Sequence, residues 1–205
     1  MIMKKKYCKN QMDFMLIKVL LILLTFMLCL LISRHIHHQV QPPINNDIDL
    51  IQKKAFIKKM VPLAQAEYQK YPIFPSVTIA QACLESDYGR SSLSKKYNNL
   101  FGMKGTDPNR TKLMETKEFV NNKWIVIKAR FCVFNSMEEC VKKHTLLLVN
   151  GTTWNPRQYQ HVLNSTTYIQ QAESLQKDGY ATDPSYSKSL LKIIDEFKLY
   201  QYDYR

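Results

Sequence analysis

Residues 80–105, AQACLESDYGRSSLSKKYNNLFGMKG, close a helix-like run with one carboxylate, Glu85, and follow it with a turn crowded with Asn, Gly and aromatic residues. On a helix Glu85 shares a face with Gln81 and Thr78, beside an apolar stripe of Val77, Ala80, Leu84 and Tyr88. A carboxyl at the edge of a core loses hydration, its pKa rises, and it keeps a proton near neutral pH. Such a group can protonate a leaving oxygen, which is what cleavage of a glycosidic bond asks of a general acid. The spacing equally allows a helix-end Glu paired with Arg90 or Lys104.

Glycoside cleavage needs a second carboxylate from elsewhere in the chain. Glu115 and Glu118 lie in the stretch METKEFVNNKWIVIKARFCVF, and their odd offset puts them on opposite faces of a strand, so only one can look into a cleft below it. Either can also be a solvent-facing charge balancing Lys117 or Lys123. Three routes stay open: a water activated for inversion, a carboxylate nucleophile, or attack by the substrate's own N-acetyl group. Asp87 points away from Glu85 on a helix and receives no catalytic role. Neither His144 nor His161 is followed by a His or Cys at i+3 or i+4, and His35, His37 and His38 stand in a polar spacer without Cys or carboxylate partners, so no metal or cofactor is expected. Trp154, Tyr159 and Tyr168 can stack on sugars or serve as core.

These residues need elements to hold them. IQKKAFIKKMVPLAQAEYQKY has helical spacing from Ile51, with Pro62 expected to break or kink it. Ser76 is the expected N-cap of a helix from Val77 to about Tyr88, which Gly89 would end in the left-handed conformation. SMEE at 136–139 reads as a capping box for a helix to about Val149. STTYIQQAESLQKDG and DPSYSKSLLKIIDEF supply two more helices, the latter with Asp183 as N-cap and Pro184 in its first turn. The β-branched and aromatic stretch between them is a hairpin turning at Asn121-Asn122, which pairs Val120 with Lys123, Phe119 with Trp124 and Glu118 with Ile125. The fold class is α+β, mainly helical with a small β-ribbon.

The chain has 205 residues and a net charge of +12. Phe14 to Ser33 is apolar with Lys18 as its one charge, long enough to cross a bilayer, and Lys4, Lys5, Lys6 and Lys9 before it hold the N-terminus in the cytoplasm. This gives a basic cytoplasmic stretch at 1–13, a transmembrane anchor at 14–33, a tether at 34–50 containing Pro42 and Pro43, and an exported domain at 51–205. A cleaved signal peptide competes, though no small-x-small site follows the run. The exported part is itself basic, which suits anionic wall polymers or acidic headgroups, or is simply a soluble surface; export argues against nucleic acid. Cys8, Cys29, Cys83, Cys132 and Cys140 form no disulfide framework; Cys132 and Cys140 can pair or stay free.

SVTIAQACLESDYGRSSLSKKYNNLFGMKG, TKEFVNNKWIVIKARFCVFNS and GYATDPSYSKSLLKIIDEFKL, in that order, resemble the three signature blocks of the bacterial endo-β-N-acetylglucosaminidases, glycoside hydrolase family 73. That family includes Gram-positive autolysins and the flagellar muramidase-like hydrolase domain. The likeness runs from about residue 53 to residue 203. It implies a lysozyme-like fold that hydrolyses the β-1,4 bond after N-acetylglucosamine in peptidoglycan. By the resemblance Glu85 is the catalytic acid, Glu118 the second carboxylate on the β-lobe, and Tyr180 a tyrosine lining the active site. Asn98, Asn99 and Phe101 match the turn beside the cleft, as sugar contacts or as cleft-shaping residues. Relatives usually read ESGWG where this chain reads ESDYG, so Tyr88 keeps the aromatic character and is expected as a substrate contact, Asp87 replaces Gly, and Cys83 fills a usually small position. Those departures bear on substrate preference. A muramidase or lytic transglycosylase of the same fold, or a wall-binding scaffold without turnover, are the alternatives.

Overall fold

The computed structural model describes residues 44–120 and 123–204, with side chains at 46–116 and 125–204. The expected membrane span at 14–33, most of the tether and the Asn121-Asn122 turn lie outside the described residues. Among the described residues no helix is long and apolar enough to cross a membrane. Two units divide between Ile48 and Asp49, and the second, Asp49–Arg205, carries the candidate catalytic elements.

Helix α1 (Ile44–Tyr68) starts ahead of Ile51, inside the expected tether. Asp47 in its first turn complements the helix dipole. Asp49 accepts from Lys53 at 2.8 Å and pairs with Arg90, which fastens the early turns. The helix also runs on through Pro62 rather than ending there. A missing hydrogen bond and ring clash cost about 3 kcal/mol, and burial of Phe56, Ile57, Met60 and Ala64 holds the turns around it.

Helix α2 (Pro75–Ser86) is the central rod, with Val77, Ile79, Ala80, Ala82 and Cys83 all fully buried. A helix buried over most of its surface is stable only when surrounded, and α7 and the C-terminal turn at Leu199–Tyr202 close round it. Its start differs from expectation: Pro75 opens the helix, and Ser76 is already inside. The free Ser76 N–H and hydroxyl both donate to the Asp203 carboxylate, at 2.7 and 2.6 Å, so the cap arrives from the other end of the chain. The end also comes early, at Ser86, where Asp87 takes φ 50° ahead of Tyr88 and Gly89.

A short α3 (Ser92–Tyr97) is capped by Ser91, whose hydroxyl accepts from the Ser94 N–H. Strands β1 (Thr111–Val120) and β2 (Lys123–Cys132) form the antiparallel ribbon, with Val120 opposite Lys123, Phe119 opposite Trp124 and Glu118 opposite Ile125, as the turn chemistry predicts. Helix α4 (Met137–Asn150) has the expected box at its start: Ser136 accepts from the Glu139 N–H, while the Glu139 carboxylate reaches one residue further back, to the Asn135 N–H. Helices α5 (Gln160–Leu163), α6 (Tyr168–Lys177) and α7 (Tyr186–Glu196) complete the domain. Asp183 does accept from Ser185, but regular helix begins at Tyr186, because the Asp183–Tyr186 turn comes first. The core joins Met60, Ile79, Leu175, Leu190, Ile194 and Leu199. Buried Gln171 accepts from the Phe74 N–H and donates to the Pro72 and Val162 carbonyls, locking α6 to the loop that enters α2. Cys83, Cys132 and Cys140 are free thiols.

Candidate active site

A cleft of about 850 Å³ opens where the end of α2 meets β1, the loop after α4 and the loop that leads into α7. Glu85 stands in its wall, one residue before α2 ends. The carboxylate is open to the cleft on one side, yet protein crowds it on the others, and that desolvation pushes its pKa up. A hydrogen bond from the Tyr186 hydroxyl to Oε1, 2.8 Å long, opposes part of the rise by favouring the ionised form. Gln81 Nε2 donates to the same hydroxyl at 3.1 Å, which leaves the phenolic proton directed at Glu85. Oε2 faces Gly102, where even an added Cβ would stand 4.0 Å away. Glu85 and Gly102 both line the cleft, and no hydrogen bond to Oε2 occurs among the described residues, so a proton carried there is available to a sugar oxygen in the cleft.

Arg90, one expected partner of a helix-end Glu85, instead bonds Asp87 and Asp49. Among the described residues neither Arg90 nor Lys104 forms a salt bridge with Glu85, whose hydrogen bond comes from Tyr186, so it has the surroundings of an acid and not of a surface ion pair.

Behind it runs a column of rings. Tyr186 stacks on Tyr180 at 5.7 Å, Tyr180 meets the edge of His144 at 5.7 Å, and His144 stacks on Phe101 at 3.8 Å. Tyr180 and Phe101 both line the cleft. Burial pushes the Tyr180 and Tyr186 hydroxyls well above the usual phenol range, so both stay protonated at neutral pH. Burial also lowers His144 to about 3, keeping the ring neutral inside the column. His161 pairs with Asp178 at 2.6 Å on the other side of α5. Among the described residues no cluster of metal-ligating groups occurs.

The turn residues divide their work. Asn99 is 1% exposed, with its amide donating to the Met103 and Cys132 carbonyls and accepting from the Met103 N–H. That amide is fully engaged, so Asn99 shapes the cleft and ties the turn to β2 rather than reaching for a sugar. Asn98 takes φ 51° at the end of α3 and donates to the Phe134 carbonyl, a shaping role as well. Tyr88 is not among the cleft-lining residues; it meets Phe197 edge-on at 5.8 Å and lies under Lys53 and Arg90. Its left-handed backbone turns it off the stripe that Val77, Ala80 and Leu84 begin.

On the ribbon, Met114, Glu115 and Thr116 line the cleft. Glu118 pairs with Ile125 in the strand register, and its side chain lies outside the described residues. Sequence reasoning did not single out Tyr186, Gln81 or Gly102. Gln81 shares the helical face of Glu85, which was a usable signal; Tyr186 lies 101 residues from Glu85 and no local pattern announces the bond.

Residues 61–199 match the family described as glucosaminidase, mannosyl-glycoprotein endo-beta-N-acetylglucosaminidase. The exo-glucosaminidase LytG of Bacillus subtilis is 41% identical over 155 residues, covering 76% of this chain and 55% of that protein. A probable N-acetylmuramidase of Lactococcus lactis subsp. cremoris is 36% identical, covering 73% of this chain and 35% of its own length. The chain thus spans about half, or less, of these curated relatives. The catalytic domain of the autolysin Auto from Listeria monocytogenes superimposes with a TM-score of 0.67 at 34% identity, over 80% of this chain and 99% of that domain. With the match extending from α1 to the C-terminal turn and taking in Glu85, the ribbon and Tyr186, the chain belongs to the glucosaminidase family, glycoside hydrolase family 73.

Proposed function

We propose that the chain is a peptidoglycan hydrolase that cuts the β-1,4 bond between N-acetylglucosamine and N-acetylmuramic acid, with Glu85 as general acid. The observation that carries this reading is the Glu85 carboxyl itself: raised in pKa by burial, oriented through Oε1 by Tyr186, and free at Oε2 toward an open cleft. Protonated, it donates from Oε2 to the bridging oxygen as the glycosidic bond breaks, and the charge left behind is steadied by the Tyr186 hydroxyl. Glu118 supplies the second carboxylate from β1. The family resemblance points to Glu118, and on the same strand Glu115 is the carboxylate that lines the cleft, beside Met114 and Thr116. Tyr180 stands against Tyr186 and the cleft, fixing the ring that holds the acid.

The N-terminal segment would hold this domain to the outer face of the cell membrane as a single-pass anchor, or be cleaved to release it, and the basic surface would favour anionic wall polymers. Cleavage on the muramic side is a second reading, favoured by the relatives described as N-acetylmuramidases. Mass analysis of sugars released from purified wall decides between them. A reducing N-acetylglucosamine end is expected; a reducing or anhydro muramic end refutes the bond assignment, and no release by the intact chain refutes the activity.

A further inference from the structure

Trp154 is 80% exposed, yet it lines the cleft. Its neighbours on that wall differ sharply: Phe101 and Tyr159 are 3% and 5% exposed. Core packing therefore accounts for them and not for Trp154. Among the described residues the Trp154 indole has no hydrogen-bond or ring partner.

The turn that carries it is tightly held. Thr152 and Asn155 exchange backbone hydrogen bonds of 3.0 and 3.1 Å across a two-residue tip. The Thr152 hydroxyl donates to Gln158 Oε1 at 2.7 Å, and Gln158 Nε2 donates in turn to the Asp178 carbonyl at 3.3 Å. Gly151 adopts φ +69° with no room for a Cβ against Asn155 and Pro156, so the turn is sealed onto the end of α4. A rigid turn with a bare indole at its tip loses little further entropy when a flat apolar surface covers that ring. The C–H face of a pyranose is such a surface.

We propose that Trp154 is the stacking platform of a sugar subsite, taking one N-acetylhexosamine ring of the glycan strand in the cleft. It rests on the glycan-cleaving reading of the cleft. Trp154 binds and does no chemistry, since the acid, its tyrosine and the column of rings behind them lie in other elements.

The test uses the full chain with Glu85→Gln to stop turnover and Trp124→Phe, which leaves Trp154 as the one indole of two. The probe is the β-1,4-linked tetramer of N-acetylglucosamine, with binding followed independently by calorimetry. On saturation, Trp154 emission should shift to the blue and lose most of its quenching by iodide. Binding with unmoved emission and quenching overturns the subsite alone. No binding overturns it together with the reading beneath it. In the otherwise natural chain, Trp154→Ala should raise KM on purified glycan strands roughly three- to tenfold, the worth of one aromatic contact, with kcat little changed, and Trp154→Phe should recover part of the loss. An unchanged KM for Trp154→Ala overturns the proposal, and the exposure of the side chain keeps folding out of the question.

Discussion

Glu85→Gln separates what the acid does for chemistry from what it costs the fold. Its pKa is raised in the folded chain, so between the unfolded and folded values the native state keeps a proton that the unfolded state releases. Stability therefore falls as pH rises through that window, and the deficit is complete above the folded pKa. A dry, unpaired carboxylate costs several kcal/mol, but the cleft admits water and the Tyr186 hydrogen bond remains. The deficit is then on the order of 1 kcal/mol. Gln keeps the shape, accepts from Tyr186 through its carbonyl oxygen, and never ionises. At neutral pH Glu85→Gln should melt about 2–4 °C higher than the parent, and the gain should vanish below the unfolded carboxyl pKa. The same variant should lose activity on purified wall by about a hundred- to ten-thousand-fold, the worth of a general acid. Thermal melts across a pH series and a turbidity assay read both. A variant less stable at neutral pH, or a difference that does not change with pH, refutes the desolvated-acid argument; retained activity in a folded variant refutes the assignment of the acid.

Tyr186→Phe removes the hydrogen bond that favours ionised Glu85, so burial acts unopposed and the alkaline limb of the kcat/KM profile should move to higher pH, with kcat/KM lower by about tenfold from lost orientation; a limb that moves to lower pH contradicts the geometry. Asn99→Ala takes the acceptor from the Met103 N–H and one donor each from the Met103 and Cys132 carbonyls, the former keeping the Cys132 N–H, and should cost about 1–3 kcal/mol in urea unfolding; a neutral result would mean that the turn is held by something else. Asp203→Ala uncaps α2 from the C-terminal end of the chain and should cost about 1–2 kcal/mol by the same measurement, more than Ala at exposed Asp107, whose cap serves a single turn.

Whatever was written within a few residues could be read from the chain. Two adjacent asparagines between β-branched runs predict a two-residue turn, and the register expected from it agrees with the observed cross-strand pairs, Glu118 with Ile125 included. SMEE carries both halves of its cap within five residues. Glu85 could be placed at the core edge because its apolar neighbours recur at helical spacing. What escaped depends on bonds and helix ends that no local pattern announces. Ser76 looks like a cap until Asp203, 127 residues away, takes both its donors. Asn99 looks like a sugar ligand until Met103 and Cys132 consume its amide. Tyr88 seems to continue the apolar stripe, but the stripe is drawn on a helix that stops at Ser86.

That early stop explains why Glu85 can act at all. On a continuing helix, residues 88 and 89 would stand three and four positions on, over the face that carries Glu85, and would cover the carboxyl. Instead Asp87, Tyr88 and Gly89 follow one another at φ 50°, 53° and 75°, turning the backbone off the helix axis, and the cleft wall resumes only at Ser91. Two non-glycine residues in that region cost about 1–3 kcal/mol each. Local bonds offset part of this: Ser86 Oγ accepts from the Gly89 N–H and donates to the Ala82 carbonyl, while Arg90 clasps Asp87. Gly89 is the position where no substitute fits, since a Cβ there would stand 2.7 Å from the Phe56 ring. The rod of α2 fixes where Glu85 stands, and Tyr186 arriving from α7 aims it, so the placement of the proposed acid depends on the helical core while the ribbon brings Met114, Glu115 and Thr116 to the cleft.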